Sequence, residues 1–531
     1  WASEDQSIMK ISMTTLSSST YFSAPVRLSL LALACAVITG CASVQPVALT
    51  QQDMQALQQK DAEAMRKDVE PINGPLTLDE AMARALKYNL DRRAKMMEEA
   101  LAMGQLDVSK FDMLPKIMAQ AGYAYRDRMR YTHSSRYGLP ENPDTSSAST
   151  TTDRTHNTYD LGLTWSLLDV GLGYYGSKQQ ADRFLVASEK RRKAMHLLTQ
   201  DVRTAYWRAA SAQLLKADVQ KTIDLAEEAL ADSRKAAVER VRNPLEPLRY
   251  QRQVLENLRL LESINQELSS AQVELGGLIN APLNQAIQIA TTDLKNISDE
   301  VAQVPVDKLE ELALLNNADL REQHYNARIA REETRRTLLR MFPNLTFNYG
   351  TKYDTDRYLL SNNWNEAGVQ LSFNLMNLFT GSTQMKAAEA GVALADQRRV
   401  AAQAAVLMQV HLSRLQVINA RSQFDRADAI FDTDNRIAEV MRNRQMVAAQ
   451  SKLDVVSTET SSILSLLRRY QALAQVQVAE NRMLATLGLE PQIGSTSELS
   501  LKELTEQVNR FNAPWRELKQ GAKVAQAESS K

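Results

Sequence analysis

The chain has 531 residues, with 63 basic and 63 acidic side chains and a formal net charge of zero. A nucleic-acid binder would show a basic face, and this balance argues against one. Aromatics are few at 6%, Gly and Pro number only 18 and 14, and Ala, Gln, Leu, Glu and Arg dominate from about residue 175 onward, a composition suited to long helices with close-packed seams.

The chain opens on Trp1, so Met9 or Met13 is the expected start. Residues 25–41 read PVRLSLLALACAVITGC, with Arg27 as a positive n-region and Leu28 to Ile38 as an apolar run. That run is too short to span a bilayer, so residues 1–40 are expected to be a signal peptide with its upstream residues. The ITGC ending resembles the lipobox of bacterial lipoproteins. This implies cleavage before Cys41 and lipidation of its thiol, palmitate included; an ordinary signal peptide with a chance cysteine is the alternative. Cys35 would leave with the leader, so the mature chain is expected to hold no disulfide and no cysteine-based metal site. By resemblance to bacterial sorting rules, Ala42, where an Asp would direct inner-membrane retention, favours the outer membrane. Residues 41–75 read as a lipid-anchored linker.

Further along, one series of elements is predicted twice. A helix over about Leu78–Met113 leads into LPKIMAQAGYAY (Leu114–Tyr125). There Ile117, Ala119, Ala121, Tyr123 and Tyr125 share one face, and Met118, Gln120, Gly122, Ala124 and Arg126 the other. A stretch rich in Ser, Thr, Asp and Pro follows and reads as a solvated loop. In the next segment Leu161, Leu163, Trp165 and Leu167 oppose Gly162, Thr164 and Ser166. A helix over about Gly176–Val241 would then extend roughly 100 Å. It meets RNPLEPL (Arg242–Leu248), whose prolines break a helix at a cost of about 3 kcal/mol. A helix returns over about Leu245–Ile279.

The second series begins with a helix over about Val306–Met341, followed by FPNLTFNYGTKY (Phe342–Tyr353). Leu345, Phe347, Tyr349, Thr351 and Tyr353 oppose Asn344, Thr346, Asn348, Gly350 and Lys352. After a shorter loop, Val369, Leu371, Phe373 and Leu375 oppose Gln370, Ser372 and Asn374. A long helix over about Thr383–Ala449, a turn at QSKLDVV (Gln450–Val456) and a returning helix over about Leu453–Leu487 complete it. Ser497–Lys531 reads as a short helix and a tail.

The two series are a tandem repeat. LTWSLLD (Leu163–Asp169) matches LSFNLMN (Leu371–Asn377) at an offset of 208, as Gly173 and Lys178 match Gly381 and Lys386. The upstream strands match at 228, so the first copy holds about twenty extra residues between its strands. This divides the chain into a first repeat (76–282), a connecting equatorial segment (283–305), a second repeat (306–491) and a C-terminal helix and tail (492–531).

Strands with one apolar and one polar face are the pattern of transmembrane β-barrels. A half-buried soluble sheet is the alternative, but four strands isolated among helices would build a poor soluble core. Tyr123, Tyr125, Tyr159, Tyr353 and Tyr358 would suit an interfacial girdle. In the second long helix Val410, Val417, Phe424 and Phe431 recur every seven residues, with Ala420 and Ala427 three residues after two of them, as in a coiled-coil seam. At the turns, Asn243 can N-cap the returning helix, with Pro244 at its first position and Glu246 at its third. The 208 offset maps Asn243 to Ser451 and Glu246 to Asp454. NPLE and SKLD are therefore two capping boxes whose acids suit the positive end of a helix.

Other motifs carry no chemistry. GLGYYG (Gly171–Gly176) has the letters of a dinucleotide fingerprint, but no βαβ unit follows, and a barrel-to-helix turn is the expected structure. The five histidines are scattered and form no hydrolase or metalloprotease pattern. Met96, Met97, Met103 and Met113 are expected to serve helix packing rather than copper binding.

In its tandem repeat, its strand–strand–long helix–tip–helix order and its LTWSLLD and LSFNLMN strand ends, the chain resembles the TolC family of outer-membrane efflux and secretion channels, from about Leu76 to Pro491. The resemblance implies an α+β membrane protein and a homotrimer. Each protomer would give four strands to a shared twelve-stranded β-barrel, continued by a long periplasmic α-helical coiled-coil barrel. It implies a periplasmic adaptor (membrane fusion) protein and an inner-membrane transporter as partners, outer membrane lipids around the barrel, no cofactor and no enzymatic activity. The implied function is passive export of drugs or other small molecules. Type I protein secretion, or a non-channel periplasmic coiled-coil lipoprotein scaffold, are the alternatives. In the family the tips narrow the tunnel and dock the adaptor. Asp454 matches the tunnel-entrance aspartate by its distance to Leu487–Gly488. The family's second aspartate, one turn later, is Ser457 here, and its Arg and Tyr gate positions correspond to Gln450 and Gln445. Three copies of Glu246 and Asp454 would place six acids at the entrance, where such rings can favour cations.

Overall fold

The structure, a computed structural model, describes residues 48–132, 149–239, 245–282, 287–290, 304–446, 452–489 and 498–511. The signal-peptide and lipidation readings, Cys41 included, lie outside these residues, as do Asn243, Pro244, Gln450 and Ser451. The chain divides into two units, Trp1–Asp68 and Val69–Lys531.

In the first unit, helix α1 (Gln51–Arg66) occupies the middle of the segment read as a linker. Thr50 and Asp53 start it reciprocally. The Thr50 hydroxyl accepts from the Asp53 amide at 3.2 Å, and the Asp53 carboxylate accepts from the Thr50 amide at 3.1 Å. No residue of α1 is buried.

The second unit runs α2 (Leu78–Tyr88), α3 (Leu90–Lys110), β1 (Lys116–Tyr125), a small hairpin β2 (Tyr131–Thr132) and β3 (Ser149–Thr150), β4 (Thr155–Ser166), α4 (Leu167–Glu239), α5 (Leu245–Leu278), α6 (Val306–Asn316), α7 (Ala318–Leu339), β5 (Asn344–Asp354), β6 (Asn363–Ser372), α8 (Asn377–Met446), α9 (Lys452–Leu487) and α10 (Leu501–Phe511). Helices α4 and α8 hold 73 and 70 residues, about 110 and 105 Å at 1.5 Å per residue. α4 packs on α3, α5, α7 and α9, and α8 packs on α7 and α9. Small buried residues on α4 (Ala205, Ala209, Ala212, Ala226, Ala229) let neighbouring helices approach closely; of the predicted seam of α8, Val410, Val417, Ala420 and Phe424 are buried and Ala427 and Phe431 half-buried. None of the described helices is long and apolar enough to cross a membrane.

Two sequence expectations are corrected. First, each long helix begins earlier than predicted, α4 directly after β4 and α8 four residues after β6, so GLGYYG lies inside α4 and forms no turn. Ser166 ends β4 and caps α4, accepting from the Asp169 amide at 3.0 Å, and Asn374 accepts likewise from the Met376 amide before α8 at 3.1 Å. The glycines answer to close packing. A Cβ on Gly173 would sit 3.1 Å from the backbone of Asp112, and one on Gly381 3.3 Å from the sulfur of Met341. Second, the helices predicted over 78–113 and 306–341 each break once, at Asn89 and at Asn317. Both asparagines adopt extended backbone, with ψ 127° in each case, which ends one helix and starts the next.

Strands β1, β4, β5 and β6 form one antiparallel sheet in the order β1-β4-β5-β6. The central pair therefore joins a strand of the first half of the chain to one of the second. β1 and β6 are the edges.

Candidate functional site: the four-stranded sheet, the equator and the helix tips

Directly opposed residues in antiparallel strands share a face, so the register sorts every side chain. Ile117, Leu163, Tyr349 and Ala367 form one row; Ala119, Leu161, Thr351 and Asn365, then Ala121, Tyr159, Tyr353 and Asn363, form the next two. Trp165, Phe347 and Val369 extend this face at one end, and Tyr123 and Tyr125 at the other. Its apolar side chains lie in the open: Ile117 is 71%, Leu161 58% and Val369 66% exposed. The opposite face carries Gln120, Asp160, Lys352 and Trp364 in one row, Met118, Gly162, Gly350 and Glu366 in the next, and Thr164 with Asn348 beyond. β1 and β6 hold ten residues each, about 33 Å of extended chain. Tilted by ~45°, such strands match the hydrocarbon thickness of a bilayer.

At the sheet's loop end, Arg357 ties the two strand-connecting segments together. Its guanidinium donates to Asp153 at 2.8 and 3.1 Å, and its amide donates to the same carboxylate at 2.9 Å. The Asp153 amide donates in turn to Asp356 at 3.1 Å. The hydrogen bonds from Arg357 hold the Asp153 carboxyl below the usual carboxylate range.

The equator of the helical part is fastened by residues the sequence reading did not single out. Asn89 accepts from the Arg92 amide at 3.0 Å and donates to the Leu278 carbonyl at 3.1 Å. Asn317 accepts from the Leu320 amide at 3.1 Å and donates to the Thr486 carbonyl at 2.9 Å. Each thus caps one helix and grips the last turn of a returning one. A signal existed: both stand in an Asn-x-Asp triplet, 228 positions apart. Beside Asn317, Gly488 closes α9 at φ +66°, with no room for a side chain, since a Cβ would fall 2.1 Å from the Asn316 carbonyl oxygen. Leu76 pairs with Ile289, and Tyr206 on α4 donates to the Leu76 carbonyl at 3.2 Å and the Ala290 carbonyl at 3.1 Å. Buried Arg203 reaches Gln477 on α9 at 2.5 Å; desolvation lowers its pKa while Glu480 and Asp79 counter that shift.

At the tips the structure reaches part of the predicted set. Asp454 lies half-buried in the first turn of α9, where the helix end favours an acid, and its carbonyl accepts from Thr458 at 2.9 Å. Ser457, one turn along, is also half-buried, beside the buried Val455 and Val456. Glu246 is the second residue of α5. Ion pairs pin α8 to α9 just beyond, Arg442–Glu459 at 2.6 Å and Arg469–Asp428 at 2.5 Å. Burial raises the Glu459 carboxyl pKa against the pull of Arg442 and Lys221. No group of residues able to hold a metal ion occurs among the described residues.

No family model matches the chain, and no curated protein matches it. Solved structures do. The outer membrane channel CmeC of Campylobacter jejuni superposes with a TM-score of 0.62 at 13% identity, over 83% of this chain and 94% of its own. A membrane protein from Pseudomonas aeruginosa gives 0.59 at 15% identity, over 80% and 92%. The outer membrane channel MtrE of Neisseria gonorrhoeae, in its open state, gives 0.55 at 16% identity, over 79% and 91%. With its four-stranded sheet carried on two very long helices and their shorter returns, the chain has the fold of the TolC-like outer membrane channels.

Proposed function

We propose that the chain is the outer membrane exit channel of a tripartite export system. Three copies close a twelve-stranded barrel in the membrane, and their helices line a periplasmic tunnel. One observation carries this reading: a sheet with an exposed, predominantly apolar face, a mainly polar opposite face and two unpaired edges. In water that face would be an aggregation surface, and in lipid the open edges β1 and β6 would be prohibitive unless paired with another copy. The equivalent roles of Asn89 and Asn317 support a tandem duplication as the origin of each protomer. The likeness to channel structures supports an outer membrane location, and a lipidated Cys41 would add an anchor.

In this reading the partners are a periplasmic adaptor, which meets the helix tips, and an inner-membrane transporter, which supplies small molecules. Asp454 and Glu246 stabilise helix starts and contribute negative charge to the tunnel entrance; Ser457 and Gln450 stand where the family places gate residues. Purified protein in planar lipid bilayers is expected to give discrete ion-conducting steps. Absence of conductance, with the protein recovered as a soluble periplasmic species, would favour a coiled-coil scaffold. Loss of a secreted protein on gene deletion, without drug sensitisation, would favour protein secretion.

A further inference from the structure

We propose that Asp160, Lys352 and Glu366 form a charge-selecting belt in the barrel lumen, separate from the tips and acting on what passes through the membrane. This rests on reading the sheet as one third of a channel barrel.

The register places all three on the polar face, on neighbouring strands and neighbouring rows. Asp160 is the cross-strand partner of Lys352, and Glu366 is the partner of Gly350. Lys352 Nζ meets the Glu366 carboxylate at 2.6 Å, with the two side chains 36% and 59% exposed. The glycine pair Gly162–Gly350 leaves a flat notch beside them. Asp160 Oδ1 lies over it, 3.2 Å from where a Cβ on Gly350 would stand. The lysine thus sits between two acids and neutralises one, leaving each protomer with a net charge of −1 at about mid-height of the sheet. The other ionisable groups on this face lie toward the strand ends: Lys116, bound to Asp169 at 3.3 Å, Arg126 just past the end of β1, and Asp354 near His156 at 3.9 Å.

Geometry gives the belt its reach. Twelve strands ~4.8 Å apart and tilted ~40° close a barrel of about 24 Å backbone diameter. Side chains of roughly 5 Å then leave about 7 Å between these charges and the axis, within the Debye length of about 8 Å at physiological ionic strength. Three copies would bias the whole lumen toward cations and cationic substrates.

The test is the reversal potential of single pores in planar bilayers under a potassium chloride gradient. Wild-type pores are expected to prefer cations. The D160N/E366Q variant, which leaves Lys352 alone, is expected to lower the cation-to-anion permeability ratio by about threefold or more, and K352Q to raise it. A Glu366→Cys protein, labelled after insertion, keeps the test independent of folding. A cationic thiol reagent should shift the reversal potential toward anions and an anionic one toward cations. Pores that conduct normally while every one of these potentials stays at the wild-type value would overturn the belt and leave the channel reading intact. Wild-type protein that forms no pores would overturn both.

Discussion

At the residue scale, the hinge asparagines and the terminal glycine carry more structure than their size suggests. Asn317 is buried and satisfies both a helix start and a helix end. Asn317→Ala removes a cap and orphans a carbonyl, an expected loss of about 2 kcal/mol in thermal unfolding of the purified protein. Gly488→Ala must force a left-handed backbone on a side chain that also meets the Asn316 carbonyl. The strain alone costs roughly 1–3 kcal/mol, so this variant should unfold earlier than wild type in the same assay. The loop latch is a pH-dependent feature. Because Arg357 lowers the Asp153 pKa, the contact is complete above the ordinary carboxylate value of about 3.9 and is lost as pH falls through the lowered value. The protection factor of the Arg357 amide, which donates to Asp153, is therefore expected to hold through the ordinary carboxylate value of about 3.9 and to fall only as pH drops through the lowered one.

At the element scale, the two faces of the sheet make opposite demands. In the proposed barrel, an arginine on the apolar face, as in Leu161→Arg, is expected to cost about 2–4 kcal/mol of stability. An arginine on the polar face, as in Asn348→Arg, is expected to be tolerated. Heat-modifiable migration of the two variants in gels reads the difference. The strands were legible in the sequence because alternation with period two survives in any partner context, and the register now pairs the predicted faces row by row. Helix boundaries were less legible. Asn89 interrupts a periodic run by one residue, and its reason to do so is a carbonyl at Leu278, distant in sequence. GLGYYG reads as a turn because glycine is a poor helix former. Its helical state is set by Ser166 capping the start and by Asp112 lying against Gly173, contacts that no local pattern displays. Of the tip set, Asp454 stands in the first turn of α9, while the expected cap Ser451 lies outside the described residues. The ion pairs Arg442–Glu459 and Arg469–Asp428 went unread, since they join helices whose relative register only packing defines.

At the scale of the whole molecule, the proposed channel makes a single chain an incomplete object. Its sheet exposes apolar side chains to one side and ladder groups at two edges, while its helices are far longer than a globular domain needs. The central claim is that the edges close on other copies. β1 and β6 are separated by three strand spacings, about 14 Å, beyond the ~7 Å limit for a disulfide between their residues within one chain. Cysteines at Ala119 or Ala121 on β1, combined in turn with cysteines at Asn365, Ala367 or Val369 on β6, therefore report only contacts between copies. The most direct measurement is oxidative cross-linking of these double variants in outer membranes, followed by denaturing electrophoresis. The account requires at least one pair to convert the protein to a covalent trimer and no larger species. Protein that stays monomeric in every combination, or that ladders into open polymers, would contradict it.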